Sequence, residues 1–185
     1  MDFNANADKI QYEKPGVSYG QSDVENSQAL GAPLFDVQTF KEEYGKIDTT
    51  EENALITALI ATSQRMCEQY TGVNFTARTV IATVNNFNGG AYLPYGPVGA
   101  IASVTDIDGN VITTDGYKLL GSDFKKVLWP LQVLVFTYTG GYVTCPPELI
   151  NAVKAQTLFL YENRGDGTVG MSPIAQMILN PLRRG

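Results

Sequence analysis

Residues 133–165, VLVFTYTGGYVTCPPELINAVKAQTLFLYENRG, decide how the chain is to be read. Val133 to Tyr138 is a β-branched and aromatic run, the composition of a strand that packs on a pleated, half-buried surface. Gly140 and Gly141 follow, and two glycines allow backbone conformations that other residues resist. Pro146 and Pro147 then predict a helix start, because proline in the first turn gives up a donor that has no partner there anyway. Glu148 suits the positive end of the helix dipole. Leu149, Val153, Leu160 and Tyr161 recur at helical spacing, so they predict the inward face of a helix that stops at Gly165. A strand is therefore expected to turn abruptly into a helix, with the glycines as the corner.

Upstream, the same punctuation appears in reverse. FDVQTFKEEYG places Phe35, Val37, Phe40 and Tyr44 at the spacing of a short helix ended by Gly45. After the connector KIDTT, Thr49 and Glu52 form a candidate capping box. A long helix is expected from about Glu51 to Tyr70, with Leu55, Leu59, Met66 and Tyr70 on its main apolar stripe and Ile56, Ile60 and Cys67 widening it. Gly72 is the expected stop. Strand chemistry takes over in TARTVIATVNNF (76–87), VGAIASVTDI (98–107), YKLLGS (117–122), KKVLW (125–129) and LQVLVFTYTG (131–140). Asp108-Gly109 predicts a hairpin turn into NVITT. A last short helix is expected from Ser172-Pro173, carrying Ile174, Met177 and Ile178 and ending before Pro181.

Helices, then short strands, then helices give an α+β fold with a small, mainly antiparallel β region. The 185 residues suffice for one such domain with its own core, assigned to 34–185. Residues 1–33 are rich in Asn, Gln, Ser, Gly and Asp without a sustained period, and are read as an extended N-terminal arm, with an adjacent subunit, the portal, the tail and the capsid all open as its contact. No apolar run is long enough for a membrane span, and MDFNANADKI lacks the features of a secretory leader, so a protein made in the cytoplasm and independent of membranes is expected.

Charge narrows the function classes. Residues 1–75 hold 5 Lys/Arg against 12 Asp/Glu, a net of −7, whereas residues 76–185 hold 8 against 7, a net of +1. That balance opposes the phosphate-neutralising grip of most nucleic-acid binders, but suits a surface past which DNA slides without being held. Histidine is absent, which removes the usual general base and the commonest transition-metal ligand. Cys67 and Cys145 form no metal or redox motif. Gly165 to Gly170 spells G-x-G-x-x-G but follows a helix, where a dinucleotide fingerprint must follow a strand. Asp106, Asp108 and Asn110 mimic a calcium loop, yet Val111 stands at its obligatory glycine and Tyr117 at its bidentate glutamate. Carboxylate pairs such as Asp106/Asp108 or Glu42/Glu43 leave a small hydrolase as the remote enzymatic alternative. No catalytic residue, cofactor or metal is assigned.

Three blocks carry a family resemblance. IDTTEENALITALIATSQRMCEQYTGVNF, with Glu68, Tyr70, Thr71 and Gly72, resembles the opening of the head-to-tail connector proteins of tailed bacteriophages. YLPYGPVGAIASVTDIDGN and the 133–165 block are similar to that family's next two segments, in the same order. The resemblance implies a non-enzymatic virion protein, also called an adaptor or head-completion protein. Such a protein forms a ring, usually dodecameric, between the portal and the tail or neck proteins and extends the DNA channel without sequence-specific binding. It further implies architectural roles for Tyr70 and Gly72 at the end of the long helix, for Gly140, Gly141 and Tyr142 at the corner, and for Tyr161, Glu162 and Arg164 at the end of the second helix. The arm departs from the family, which often lacks one. Arg183 and Arg184 sit at the other end, either solvated or set against acidic portal surface or DNA. A tail-completion or neck protein one layer further from the portal is the alternative.

Overall fold

The computed structural model describes residues 22–26, 32–44, 50–85, 90–130, 133–165 and 170–183. After one short N-terminal strand, Ser22–Asn26, come two helices, α1 (Val37–Tyr44) and α2 (Asn53–Thr71). The β region follows, and the chain closes with α3 (Pro147–Glu162), α4 (Pro173–Leu179) and a 3-10 turn at Asn180–Leu182. This is the expected α+β order.

The β region comprises two antiparallel sheets. In chain order the strands are β1 (Ser22–Asn26), β2 (Arg78–Asn85), β3 (Ala91–Tyr92), β4 (Val98–Asp106), β5 (Lys118–Leu120), β6 (Lys126–Leu128) and β7 (Val133–Gly140). One sheet runs β1-β2-β7-β4 and the other β3-β6-β5. Period-two patterning sets the register: Val80, Ala82 and Val84 of β2 stand opposite Tyr138, Phe136 and Leu134 of β7, and all six are buried. They pack with Val104, Val127 and Trp129 into one core, where Phe136 meets Tyr117 and Trp129 edge-on at 5.8 and 6.1 Å. Full burial of each large side chain contributes about 1.5–3 kcal/mol.

A second core lies among the helices: Phe35, Phe40, Ile56, Ile60, Cys67, Phe75, Leu149, Val153 and Leu179. Here the sequence reading of α2 needs correction. Ile56, Ile60 and Cys67 are its buried line, whereas Leu55 is 39% exposed and Leu59, Met66 and Tyr70 are half-buried. Two apolar lines run side by side on this helix. The chosen one also carries Ser63, Gln64 and Glu68, whose polarity hid it from a hydrophobicity count.

Other differences are local. Ser22–Asn26, read as arm, adds a strand to the edge of β2, with Val24 opposite Ala82. Its sequence, SDVEN, has almost no strand character, and the pairing comes from the β2 backbone that it meets. Residues 1–21 and 27–31 of the expected arm, and Gly45 and Thr49, lie outside the described residues. The NVITT strand reduces to one bridge, Thr105 to Val111, and only Gly109 of the turn has a positive φ, +86°. Helix α3 ends at Glu162, before Gly165, because the Asn163 side chain and backbone N–H both donate to Phe159 O, at 2.8 and 3.1 Å.

Candidate functional site

The expected architectural residues fall into three groups, and the first is the corner. Gly72 takes φ +70° and donates its N–H to Glu68 O at 2.9 Å, the left-handed cap that ends α2. The chain then runs through Asn74 and Phe75 into β2, beside Gly140 and Gly141. Gly141 has φ +116°, and a Cβ there would run into the Thr76 carbonyl oxygen. At Gly140 a Cβ would sit 2.7 Å from Tyr95 O. Close backbone approach thus requires both glycines, and at Gly141 the conformation does too. The segment 94–98 threads the same point, with Asn74 N donating to Gly96 O (3.2 Å) and Gly141 N to Pro97 O (2.8 Å). Tyr142 packs onto the helical core and, with Thr71, Val73, Phe124, Leu149 and Leu182, lines a cleft with room for little more than water.

Beneath the corner is a buried charge cluster that the sequence reading missed. Arg78 Nη2 donates to Glu68 Oε2 at 2.6 Å, and these side chains are only 11% and 4% exposed. Glu68 Oε1 accepts from Phe75 N (2.9 Å) and Gln64 Nε2 (3.2 Å). Asn74 Oδ1 accepts from Arg78 as well, while its Nδ2 donates to Gly140 O at 3.4 Å. One carboxylate therefore ties the end of α2 to the start of β2 and, through Asn74, to the end of β7. The available signal was Glu68 lying on the inner line of α2 with Arg78 ten residues on; buried charges persist only when paired.

The second group closes the other end of the helical half. Tyr161 donates its hydroxyl to Glu52 Oε2 at 2.5 Å, and Arg164 reaches Glu52 Oε1 at 3.4 Å while stacking over the Tyr161 ring at 4.4 Å. The bond to Glu52 holds the Tyr161 phenol above its usual pKa. Glu52 thus serves a tertiary contact, and the expected capping box is not its role: α2 has no side-chain cap bond. Glu162 beside this pair is exposed. The third group is Tyr70, which donates to Asn180 Oδ1 at 2.6 Å under the Arg183 guanidinium, 5.2 Å from its ring. Arg184 lies outside the described residues.

Of the carboxylates that kept a hydrolase open, Asp106, Glu42 and Glu43 are engaged otherwise. Asp106 Oδ1 accepts from Asp108 N and Asn110 N at 2.9 and 2.8 Å, and Oδ2 from Asn110 Nδ2 at 2.8 Å, which hold its carboxyl below the usual range. Glu43 is paired with Lys154 at 2.6 Å, and Glu42 accepts from Gln38. Burial pushes the Cys67 and Cys145 thiols up to about 12, away from nucleophilic use. Among the described residues no helix is long and apolar enough to cross a membrane, and no cluster of His, Cys, Asp and Glu can hold a metal ion.

No family model matches the chain, nor does any curated protein. Solved structures do. The chain is similar to one in the virion of a native gene transfer agent (GTA) particle, with TM-score 0.71 at 18% identity, covering 88% of this chain and 95% of that one. It is similar also to a chain in the neck of an empty GTA particle computed with C6 symmetry, with TM-score 0.69 at 18% identity. A third, in the neck of a native GTA particle computed with C12 symmetry, gives 0.68 at 15%. These last two matches cover 88% of this chain and 96% of the other. At such identities the likeness shows a shared fold over nearly the whole of both chains.

Proposed function

We propose that this protein is a structural component of the neck of a tailed, phage-like particle, one subunit of a ring through which DNA passes. The observation that carries the reading is the near end-to-end fold match to chains of GTA necks. It is a neck likeness, so it favours a neck or tail-completion layer over an adaptor seated directly on the portal. The C12 symmetry of one matched neck supports a ring of twelve. The portal, reached through an adaptor layer, on one side and tail or further neck proteins on the other are the partners, and the site of action is the virion, after assembly in the host cytoplasm. An acidic protomer, net −6, suits a channel through which DNA passes without being held.

In this reading the three clusters do architecture. The corner, Glu52–Tyr161–Arg164 and Tyr70–Asn180–Arg183 hold sheet and helices at one angle, and heterologous contacts close into a ring only if that angle is constant. Electron microscopy of the full-length protein, alone and mixed with the portal and tail proteins of its particle, tests the proposal. Twelve-membered rings that stack on a pre-formed portal complex or on the tail are expected. Rings that bind bare portal would move the protein up to the adaptor layer, and a monomer that joins neither partner overturns the reading.

A further inference from the structure

The four-stranded sheet has two edges that differ in kind. At one edge β1 pairs with β2, and Ser22 stands opposite Val84. Val84 pairs with Leu134, and Leu134 with Asp106 of β4 at the far edge. Ser22, the first described residue, therefore stands at the end of the sheet where the β4 turn lies, three strand spacings or about 14 Å across.

Strand β4 has β7 on one side. On the other, its two ends are already engaged: Val98 N donates to Asp123 O at 2.6 Å, and Val104 O accepts from Ile112 N at 2.9 Å. Between them Gly99 O is met by a side chain, Lys125 Nζ at 3.0 Å, and among the described residues no strand pairs with this side of residues 99–103. Gly99, Ala100, Ala102 and Ser103 are exposed and small, so their own side chains leave the backbone open. The window is five residues or about 17 Å long, enough for one short strand. Two register shifts at 98–103 bend β4 against β7. Beyond it Ile107 and Val111 are 69% and 74% exposed.

Residues 9–14, KIQYEK, alternate Lys9, Gln11 and Glu13 with Ile10 and Tyr12, a period of two that ends at Pro15-Gly16. From Lys14 to Ser22 is eight residues, a reach of at most about 26 Å. A lysine stands at each end of the segment, and the window has Asp123 at one end and Asp108 beyond the other. We infer that residues 9–14 of one copy add a strand to the free 99–103 edge of β4 in a neighbouring copy. Strand β1, which the donor segment precedes in the chain, and the acceptor β4 are opposite edges of the same sheet, so the contact is head-to-tail and propagates around a ring. The choice of a second copy as acceptor rests on the ring reading above.

Disulfide trapping with full-length chains tests this. Gln11→Cys and Ala102→Cys single variants are mixed, oxidised and mapped by mass spectrometry, with Gln11→Cys plus Thr62→Cys, exposed on α2 away from the sheet edge, as control. The native thiols, raised to about 12, compete poorly. A disulfide joining the thiol introduced at Gln11 of one chain to that introduced at Ala102 of another is expected at several-fold the control yield. Its absence overturns the inference, and so does a Gln11→Cys/Ala102→Cys double variant that closes only within one chain. Micrographs of the same samples separate the two claims. Rings without the disulfide overturn arm docking and leave the neck reading, whereas linked open chains that never close overturn the ring and leave arm docking.

Discussion

The sheet half and the helical half bury their side chains by different rules. The sheet core is aliphatic and aromatic, and its one fully buried hydroxyl among the described residues, on Tyr138, donates to Pro94 O at 2.5 Å. The buried polar residues Ser63, Gln64, Glu68, Thr71, Asn74, Gln156, Thr157 and Ser172 all lie in the helical half or at the corner. Gln156 shows the pattern: fully buried on α3, it accepts from Ser172 N (2.7 Å) and donates to Gly170 O (3.0 Å), fixing where α4 begins. In the sheet, backbone ladders already define register, so apolar packing is sufficient. Helices have no such ladder between them, and directional side-chain bonds set their mutual angles.

The largest test of this contrast is to cut the polar tie between the halves. Glu68→Ala leaves Arg78 buried without its carboxylate, and its Nε already has no partner. A loss of about 3–5 kcal/mol is expected, a Tm drop of roughly 6–20 °C in calorimetry. Hydrogen exchange of β7 amides and alkylation of Cys67 report the two halves separately. In the parent protein they should open together. In the variant the helical half should open first, and equal opening in both would show that the corner does not couple them.

Gly141→Ala attacks the same junction through the backbone. It forces a β-carbon into φ +116° and against Thr76 O, and about 2–3 kcal/mol is expected in urea unfolding. Gly99→Ala serves as the control, since its φ is unexceptional and its Cβ would meet Thr139 O at 3.2 Å.

That junction also marks how far the sequence could be read. The turn from strand to helix was legible because glycine and proline act locally: Gly72, Gly140, Gly141 and Pro147 each announce a backbone state whatever surrounds them. Strand β2 and the Val80, Ala82, Val84 face were legible from alternation. Two features were not. Strand β1 depends on a partner edge more than fifty residues away in the chain, at β2, and SDVEN carries no local sign of it. The inner line of α2 was obscured because Gln64 and Glu68 are polar residues in core positions, and only the fold brings Phe75 N and Arg78 to them. Of the candidate site, the glycines, Tyr70 and Tyr161 could be picked out in the sequence, but the partners Asn74, Asn180 and Glu52 follow from tertiary geometry.

A smaller effect is expected at the far end of the helices. Tyr161→Phe removes the bond to Glu52 and should cost about 1 kcal/mol at a half-exposed site. The tyrosine pKa is raised in the fold, so this contribution is complete below the unfolded value near 10 and is lost as pH rises through the folded one. Parent and Tyr161→Phe stabilities should therefore converge above about pH 10, and a gap that stays constant would assign the effect to packing.

The smallest effects pair one carboxylate from each half. Asp106 is held low by the Asn110 side chain and backbone, and Asp36 by the Thr39 backbone N–H at 2.7 Å that caps α1. A depressed carboxylate stabilises above its unfolded pKa of about 3.9 and loses that contribution as pH falls through its folded value. Asp106→Asn and Asp36→Asn should each flatten the decline of Tm below pH 4 slightly. If the Glu68 cluster makes the halves one cooperative unit, both substitutions act on a single transition. In the Glu68→Ala background they should separate, with Asp36→Asn moving only the first, helical step and Asp106→Asn only the second.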